Sequence, residues 1–463
     1  MRSPTVEGHS SPIVRSDRAD GLRFWHGGSR SMTSVPQRAE RFRYLGLDVH
    51  GSTLRGRYEC DGDTFTETIE FSHSLTQNAE AVLAVAELWY LTAGLSYYKA
   101  RAAHILDVGD LPLGVAGREF LFAALHDGLG EFAYRNDLDL SDVRLEGGAN
   151  VVPTQPVLDS HAVLTPFGGG IDSVVTVRAL APSLTNRLFI MSPSTGTFAP
   201  LEATAALMGR DIQRATRTLD PRITTPTSRY FNGHVPVTAM VTLLATVSAL
   251  ATGRGGVVMS NEHSASVPNM MRGSQAINHQ WSKSGQAERL LADAISERCG
   301  TALTVASFLR DRSELWVARE FARYHDVLPT FRSCNRAFRQ SHADRAAQWC
   351  GECDKCLFIA LVLAPFMDAS QLDIIFSGTS PLRRSELDGA LRTLVGLGAQ
   401  KKPFECVGDP DECAVALRAV VSHPDYSDIP HLHAISREIA TELTLDDLLQ
   451  PQGASRVPAS WIS

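Results

Sequence analysis

The segment LTPFGGGIDSVV, residues 164–175, places three consecutive glycines and an Asp-Ser pair directly after an apolar run. The apolar run predicts a buried strand, and the residues after the glycines have the apolar spacing of a helix. Three residues without a Cβ allow backbone N–H groups to converge on a phosphate, and the N-terminal end of the helix adds partial positive charge. The segment therefore predicts a strand, a phosphate-binding turn and a helix.

Two common glycine motifs do not fit this turn. It lacks the Gly-Lys-Ser/Thr ending of the P-loop, which holds β- and γ-phosphates, and it lacks the Gly-x-Gly-x-x-Gly spacing of dinucleotide-binding folds. Ser173 supplies a hydroxyl donor, and Asp172 supplies a carboxylate that could hold Mg²⁺ beside the phosphates. The predicted phosphate-binding residues are Gly168, Gly169, Gly170, Asp172 and Ser173.

Strands and helices alternate on the C-terminal side of this turn. Strands are predicted in RLFIMSPSTG (187–196) and GGVVMSNEHS (255–264), and helices in PLEATAALMGR (200–210) and VPVTAMVTLLATVSALATG (235–253). This alternation is typical of parallel crossover units. We expect an α/β fold with a doubly wound parallel sheet, whose ligands bind beyond the carboxyl ends of the strands.

The rest of the chain differs in composition from this α/β segment. Residues 42–71 alternate apolar and polar side chains, which predicts three strands in an antiparallel meander, and helical spacing follows them. The aromatic residues in that helical part, Trp89, Tyr90, Tyr97 and Tyr98, are expected in the core, with a substrate cleft as the alternative. The predicted divisions are a disordered extension (1–41), an N-terminal α+β domain (42–155), the α/β domain (156–330), a helical region with a metal site (331–450) and a flexible tail (451–463).

Charge and hydropathy restrict the partners of the chain. The 463 residues include 44 Lys+Arg and 51 Asp+Glu, a formal net charge of −7, and no basic run indicates a nucleic-acid partner. No apolar run approaches the ~20 residues that span a bilayer, and the N-terminus lacks the apolar core of a signal peptide. We therefore expect a cytoplasmic protein that does not insert into membranes.

Four of the eight cysteines lie in CNRAFRQSHADRAAQWCGECDKC, residues 334–356. In a reducing compartment such a cluster is typical of metal ligands rather than disulfides. Thiolates at two-residue intervals bend the chain around a metal, and a fourth from a neighbouring segment completes a closed tetrahedral site. The sequence predicts structural Zn²⁺ on Cys334, Cys350, Cys353 and Cys356, with an iron–sulfur cluster as the first alternative and buried free cysteines as the second.

Two polar loops, residues 231–240 and 260–288, follow predicted strands and are expected near the glycine turn. Glu262, His263 and His279 are candidates for proton transfer, and Lys283 is a candidate for binding phosphate. A capping or solvated role is the alternative for each. Further candidates in these loops are His234, Asn261, Asn278 and Ser282; Arg272, Arg310 and Arg332 could bind the carboxylates or diphosphate of an acidic substrate.

The segment 168–173 resembles the pyrophosphate-binding loop of the ATP pyrophosphatase class of adenine nucleotide alpha hydrolases, whose usual pattern is Ser-Gly-Gly-x-Asp-Ser. Gly168 stands where that pattern has serine, so one hydroxyl contact to phosphate is missing. The resemblance implies an adenine nucleotide alpha hydrolase-like fold and cleavage of ATP between the α- and β-phosphates with adenylation of an oxygen. The cysteine cluster is similar to the zinc hook of the deazaguanine nitrile synthases in the same superfamily.

A wider resemblance covers residues 42–450. FGGGIDSV, NGHVPVTAM, SNEHS with NHQWSKS, and CGECDKCLFIALVLAPF together resemble the UDP-N-acetylmuramoyl-L-alanyl-L-glutamate epimerase family of certain bacteria. The resemblance implies use of ATP and Mg²⁺ to convert the terminal L-glutamate of the UDP-MurNAc-L-Ala-L-Glu substrate to D-glutamate, with release of AMP and diphosphate, in peptidoglycan precursor synthesis. It also implies a functional partner, a ligase that adds L-glutamate to UDP-MurNAc-L-Ala.

Two other functions share part of this evidence. A synthetase that adenylates a heterocycle or an RNA base, like the deazaguanine nitrile synthases, would use the same loop and zinc hook, but the net charge of −7 and the separate N-terminal domain speak against it. A non-enzymatic nucleotide sensor is the third class. The presence of Asp172 and Ser173 disfavours a sensor, since a sensor does not need metal-directing side chains.

Overall fold

The computed structural model describes residues 36–225, 227–336, 348–398 and 402–462. Most of the predicted N-terminal extension, residues 1–35, lies outside the described residues, and strand β1 begins at Arg41. Residues 36–462 belong to one unit. No helix among the described residues has the length and apolar character needed to cross a bilayer.

The predicted N-terminal meander is confirmed. Strands β1 (Arg41–His50), β2 (Thr53–Cys60) and β3 (Asp63–Phe71) pair antiparallel in sequence order. The first hairpin turns at Gly51, with φ 61°, and the second at Gly62, with φ 88°. Both values lie in the left-handed region, which glycine adopts without a steric penalty.

Short helices and strands complete the N-terminal part of the chain. The aromatic residues predicted for the core, Trp89, Tyr90, Tyr97 and Tyr98, are fully buried, so the cleft alternative is wrong. Tyr58 stacks on Tyr97 with ring centroids 4.6 Å apart. The elements are α1 (Ala79–Ala93), α2 (Leu95–Tyr98), β4 (Ile105–Asp107), α3 (Val115–His126), α4 (Gly130–Arg135) and β5 (Arg144–Glu146).

The glycine-turn segment folds as strand, turn and helix, as predicted, and the alternation continues after it. Four strands here were not predicted from the sequence: Ile212–Thr218, Thr304–Ser307 and the two strands of a short hairpin, Met270–Arg272 and Gln275–Ile277. The elements are β6 (Asp159–Pro166), α5 (Ile171–Ala179), β7 (Thr185–Pro193), α6 (Ala199–Leu207), β8 (Ile212–Thr218), α7 (Pro221–Thr224), α8 (Val237–Ala251), β9 (Arg254–Met259), the hairpin β10 (Met270–Arg272) and β11 (Gln275–Ile277), α9 (Gly285–Cys299) and β12 (Thr304–Ser307).

Strands from the predicted N-terminal α+β domain and from the predicted α/β domain form a single ten-stranded sheet. The strand order is β12-β9-β6-β7-β8-β3-β2-β1-β4-β5. The first five strands in this order pair parallel, and β3 joins them by pairing antiparallel with β8. The fold is therefore α/β with a large, mostly parallel central sheet. The division predicted at residues 155 and 156 does not interrupt this sheet.

Helices cover both faces of the parallel part, because its strands are apolar on both sides. In β7, Phe189 packs into one core together with residues of α1, α8 and α9. Leu188 and Ile190 point the other way, into a core built with α5 and the later helices. This arrangement agrees with the predicted doubly wound sheet.

The C-terminal part packs helices against that second face. Its last segment was predicted to be a flexible tail, but Trp461 is buried against Val163 of β6 and Val258 of β9. Apolar burial of the indole thus anchors the end of the chain. The helices are α10 (Glu314–Phe321), α11 (Asp354–Leu363), α12 (Ala369–Phe376), α13 (Asp388–Leu394), α14 (Pro410–Ser422), α15 (Pro430–Ser436) and α16 (Leu445–Leu448).

Candidate active site

The glycine turn connects the end of β6 to the start of α5. Gly169 has φ 72°, and a Cβ there would lie 3.0 Å from Leu201 Cδ1, so this position favours glycine. Gly170 is the N-cap residue of α5 and offers no capping side chain, which leaves the first N–H groups of the helix without a side-chain acceptor. The Ser173 hydroxyl donates to the Gly170 carbonyl oxygen at 3.1 Å. This is the geometry of an anion site at a helix N-terminus.

Three carboxylates meet beside this turn. Asp172 lies in the first turn of α5, Glu262 in the loop after β9, and Glu314 in the first turn of α10, and one oxygen from each lies within 4.8 Å of the others. Glu262 and Glu314 are each only 2% exposed. Among the described residues, Asp172 Oδ1 and Glu314 Oε2 have no hydrogen-bond partner. Buried carboxylate oxygens of this kind suit Mg²⁺, so these three residues fit the predicted cation.

Like charges and burial act together on these carboxylates. Burial, with the charge of Glu262, raises the pKa of Asp172 to about 7, against the opposing effect of Lys355 and Lys283. Burial, with the charges of Asp172 and Glu262, also raises the pKa of Glu314 well above its usual range. Asp172 and Glu314 are therefore poorly stabilised as anions without a cation beside them.

Two lysines face the carboxylates from different elements. Lys283 ends a 3₁₀ turn, residues 281–283, and the charges of Cys406, Glu262 and Asp172 raise its pKa although burial opposes this. Lys355 lies in the first turn of α11 and is 9% exposed. The structure thus brings the predicted Lys283 to the predicted Asp172, and it adds Lys355, which sequence reasoning missed.

A second cluster joins Glu131 of α4 to two histidines from the polar loops. His279 Nδ1 hydrogen-bonds to Glu131 Oε2, and Arg135 Nε contacts Glu131 Oε1 at 2.6 Å. The rings of His234 and His279 have centroids 4.2 Å apart. We call Glu131, His234 and His279 the histidine cluster.

The two histidines titrate in opposite directions. Burial lowers the pKa of His279, but hydrogen bonds to Cys406 and Glu131 outweigh it and raise the value to about 9. Burial and the neighbouring His279 lower the pKa of His234 to about 3. At neutral pH the histidine cluster therefore holds one imidazolium, one neutral imidazole and one carboxylate. The ion pair of His279 and Glu131 suits the cluster to proton transfer.

Cys406 connects the two clusters. Its side chain hydrogen-bonds to His279, and although burial raises the pKa of the thiol, the charges of Lys283 and His279 lower it to about 6. Sequence analysis assigned no role to Cys406, which lies outside the four-cysteine segment and has no motif near it in the sequence. Only the folded structure identifies Cys406, because it brings Lys283, His279 and Cys406 together from separate parts of the chain.

The four-cysteine cluster lies at the start of α11. Its sulfurs are all within 4.8 Å of one another, with separations of 4.0 Å for Cys334 and Cys353, 3.6 Å for Cys350 and Cys356, and 3.5 Å for Cys353 and Cys356. A tetrahedral zinc site with Zn–S bonds of about 2.3 Å requires sulfurs about 3.8 Å apart. The predicted ligand set is thus assembled and fits a closed metal site, and Lys355 lies between two of its members.

The other predicted residues have different surroundings. His263 begins a 3₁₀ turn after Glu262, and its Nδ1 lies 3.7 Å from a Cβ built on Gly453, so its ring faces the C-terminal segment. Arg310 ion-pairs with Glu288 at 2.8 Å and donates to the backbone oxygens of Glu262 and Lys283. It therefore holds the polar loop in place.

The two remaining candidate arginines are also engaged. Arg272 contacts Asp137 at 3.1 Å on the surface. Arg332 donates to the Phe331 carbonyl oxygen and to Gln348 Oε1. None of these contacts joins Arg272 or Arg332 to the carboxylate cluster or to the histidine cluster.

The fold and the site define an α/β protein whose parallel strands end at a glycine turn, a carboxylate cluster and a histidine cluster. Two family models match the chain, the MurL N-terminal domain over residues 33–308 and the MurL C-terminal domain over residues 330–449. Three curated relatives named UDP-N-acetyl-alpha-D-muramoyl-L-alanyl-L-glutamate epimerase are 33–38% identical to it. The chain belongs to this epimerase family.

These relatives match along most of their length. The protein from Micromonospora sp. is 36% identical over 418 residues, which are 87% of this chain and 91% of the relative. That from Salinispora tropica is 38% identical over 389 residues, 81% and 82% of the two chains. That from Xanthomonas oryzae pv. oryzae is 33% identical over 393 residues, 83% and 86%. No solved structure matches the chain significantly.

Proposed function

We propose that the protein is an ATP-dependent epimerase that converts the terminal L-glutamate of UDP-MurNAc-L-Ala-L-Glu to D-glutamate and releases AMP and diphosphate. The relatives' names support the epimerisation and the substrate. One structural observation carries the adenylation step: the carboxylate cluster lies at the N-terminus of α5 beside the glycine turn, with Lys283 and Lys355 close by. We place the reaction in cytoplasmic peptidoglycan precursor synthesis, and so in cell-wall biogenesis and cell shape.

Adenylation explains why an epimerase would use ATP. The α-proton of a free carboxylate is hard to remove because the product carries two negative charges on adjacent atoms. Converting the carboxylate to an acyl adenylate removes one charge, so loss of the α-proton gives an enolate that nearby donors can stabilise. Return of a proton to the opposite face followed by hydrolysis gives D-glutamate and AMP.

Each part of the site has a role in this sequence. The N–H groups of the glycine turn and of the first turn of α5 bind the departing diphosphate. Asp172, Glu262 and Glu314 would hold Mg²⁺, which supplies positive charge to the phosphates. We thereby assign Glu262 to cation binding rather than to the proton transfer for which the sequence makes it a candidate. Lys283 and Lys355 neutralise further charge.

The histidine cluster supplies exchangeable protons beside this centre. Charged His279 and neutral His234 lie in contact, and because the pKa of His234 is lowered to about 3, the exchangeable proton resides on His279. The four cysteines would hold structural Zn²⁺, which fixes the start of α11 and hence Lys355. A ligase that adds L-glutamate to UDP-MurNAc-L-Ala is the expected functional partner, and we propose no nucleic-acid partner.

The decisive experiment supplies ATP, Mg²⁺ and UDP-MurNAc-L-Ala-L-Glu to the purified protein. AMP and diphosphate are quantified by chromatography, and glutamate chirality is determined after acid hydrolysis. AMP formed together with D-glutamate supports the proposal. AMP without inversion favours a synthetase acting on a heterocycle or an RNA base, and neither product leaves a nucleotide sensor. Omission of Mg²⁺ tests the carboxylate cluster in the same assay.

A further inference from the structure

Cys406 differs from the other cysteines outside the metal cluster. Cys60, Cys299 and Cys413 are fully buried, and burial raises the pKa of the Cys60 thiol to about 12 and of the Cys299 thiol to about 11. Cys406 is partly exposed and lies among charged groups. Positive charge reaches it from Lys283, His279 and Lys355, and negative charge from Asp172 and Glu405.

A chain of contacts orients this thiol. Cys406 hydrogen-bonds to His279, His279 hydrogen-bonds to Glu131, and Glu131 is held by Arg135. Glu131 is 4% exposed, so the pair with His279 is shielded from water. A sulfur, an imidazole and a carboxylate in this order form an arrangement that activates thiols, because the imidazolium stabilises the thiolate and the carboxylate fixes the ring.

The backbone around Cys406 is fixed from both sides by the polar loop that carries His279 and Lys283. Asn269 Nδ2 donates to the Pro403 carbonyl oxygen at 2.5 Å, and Gln280 Nε2 donates to the Val407 carbonyl oxygen at 2.8 Å. Asn335 Nδ2 adds a contact to Glu405 Oε2 at 2.6 Å. Buried side-chain amides are thus used to hold the segment that carries the thiol, which is how catalytic groups are preorganised.

We propose that the Cys406 thiolate is the base that removes the α-proton of the activated glutamate; this inference rests on the proposed function. The Cα–H bond breaks, the proton forms an S–H bond, and the electron pair moves into the acyl group to give the enolate. A water molecule then donates a proton to the opposite face of the enolate, which completes inversion, and Cys406 releases its proton to solvent to restore the thiolate. His279, which contacts the thiolate, and Glu131, which contacts His279, act as positioning residues.

The other candidates suit the step less well. Glu262 is one of three crowded carboxylates, and His263 faces the C-terminal segment. His279 is already protonated at neutral pH and cannot accept a further proton. Cys406, in contrast, lies on a segment that is hydrogen-bonded to the loop carrying His279 and Lys283, and the charges of these two residues lower the pKa of its thiol to about 6.

The test separates adenylation from proton removal by comparing Cys406→Ala and Cys406→Ser with Cys299→Ala, a buried cysteine on α9 away from the site. Substrate-dependent exchange of labelled diphosphate into ATP reports adenylation, and uptake of solvent deuterium at the glutamate α-carbon reports proton removal. We expect both Cys406 variants to keep exchange within about threefold while deuterium uptake and D-glutamate formation fall about 10²–10⁴-fold, the usual contribution of a general base. Cys299→Ala should retain both diphosphate exchange and deuterium uptake at the wild-type level.

Two results would overturn the proposal: inversion within threefold of wild type in both Cys406 variants, or parallel loss of exchange and inversion, which would assign the thiol to binding or folding. The unmodified protein supplies a second measurement, alkylation by iodoacetamide at pH 6.5 with peptide mapping. Cys406 should react before Cys60, Cys299 and Cys413, and loss of inversion should follow its modification. Failure of the proposed function can be distinguished from failure of the role of Cys406. Inversion by the wild-type protein without diphosphate exchange would contradict adenylation, but the effect of the Cys406 variants on deuterium uptake would still test proton removal.

Discussion

The carboxylate cluster and the histidine cluster are both buried groups of three titratable side chains, but they solve the problem of burial differently. Asp172, Glu262 and Glu314 gather like charges, and the pKa values of Asp172 and Glu314 are raised. In the histidine cluster opposite charges pair, so the pKa of His279 is raised while that of Glu131 is lowered. The carboxylate cluster therefore requires a bound cation to offset its like charges, whereas opposite charges in the histidine cluster already stabilise each other.

The largest effect is expected when the carboxylate cluster loses one member. Asp172→Asn removes a charge that would hold Mg²⁺ beside the phosphates, and we expect AMP formation to fall about 10³-fold, as for other groups that stabilise charge in a transition state. Chromatographic measurement of AMP checks this. Asp211→Asn is the matched control, since the Asp211 side chain is 77% exposed and pairs only at the surface with Arg187. A loss of less than tenfold in Asp172→Asn would contradict the assignment.

Breaking the histidine cluster should have a smaller effect on a different step. His279→Asn removes the imidazolium next to Cys406 and its ion pair with Glu131, which keeps its contact with Arg135, and we expect inversion to fall about 10²-fold. AMP formation should fall less than inversion does. His104→Asn is the control, because His104 pairs with Asp142 at 2.7 Å in an exposed position. Equal loss of AMP formation and inversion in the His279 variant would contradict separate roles for the clusters.

The pH dependence of inversion should report the paired charges. The pKa of Cys406 is lowered to about 6 and that of His279 is raised to about 9, so the thiolate and imidazolium coexist between these values. We expect the rate to fall about tenfold per pH unit below about 6 and above about 9, because one required charge state is lost on each side. Initial rates of inversion between pH 5 and pH 10 check this. If the rate of Cys406→Ser did not change through pH 6, the fall in the wild-type rate below pH 6 would be assigned to protonation of Cys406.

Stability should reveal the unsatisfied carboxylates when Mg²⁺ is absent. Because the pKa of Asp172 is about 7 in the folded protein and about 4 in an unfolded chain, its favourable contribution is present below pH ~4 and is lost as the pH rises to ~7. Relative to Asp172→Asn, the wild-type protein should therefore lose about 1–3 kcal/mol over this interval. Urea unfolding at pH 4 and pH 7 measures the difference, and Mg²⁺ should restore stability at pH 7. No change in the difference between the two proteins would contradict the prediction.

Local patterns predicted much of the molecule, and long-range packing determined the rest. The strand, glycine turn and helix around Asp172 follow from one continuous segment, and the cluster of four cysteines could be predicted from their spacing. The sequence did not predict β8, because IQRATRT is largely polar and its role depends on pairing with β3 across the predicted division.

The site shows the same limit. Glu131, His234, His279 and Cys406 come from four separate parts of the chain, so no spacing rule connects them. Arg310 shows a related limit, since it has the right chemistry for an acidic substrate but also holds the backbone of the polar loop. Residue type alone cannot distinguish these two uses.

The smallest effect is expected at Gly168, where the resembling loops have serine. A Cβ built on Gly168 meets no atom within 4 Å, so Gly168→Ser should fold normally and place a hydroxyl beside the anion site. We expect the KM for ATP to fall up to about threefold, the gain from one exposed hydrogen bond. Gly169→Ser is the matched control, because φ 72° and Leu201 Cδ1 at 3.0 Å make a side chain unfavourable there, at a cost of about 1 kcal/mol or more. If both variants weakened ATP binding equally, the open space at Gly168 would not be the phosphate side of the turn, and the carboxylate cluster would lose its link to the departing diphosphate.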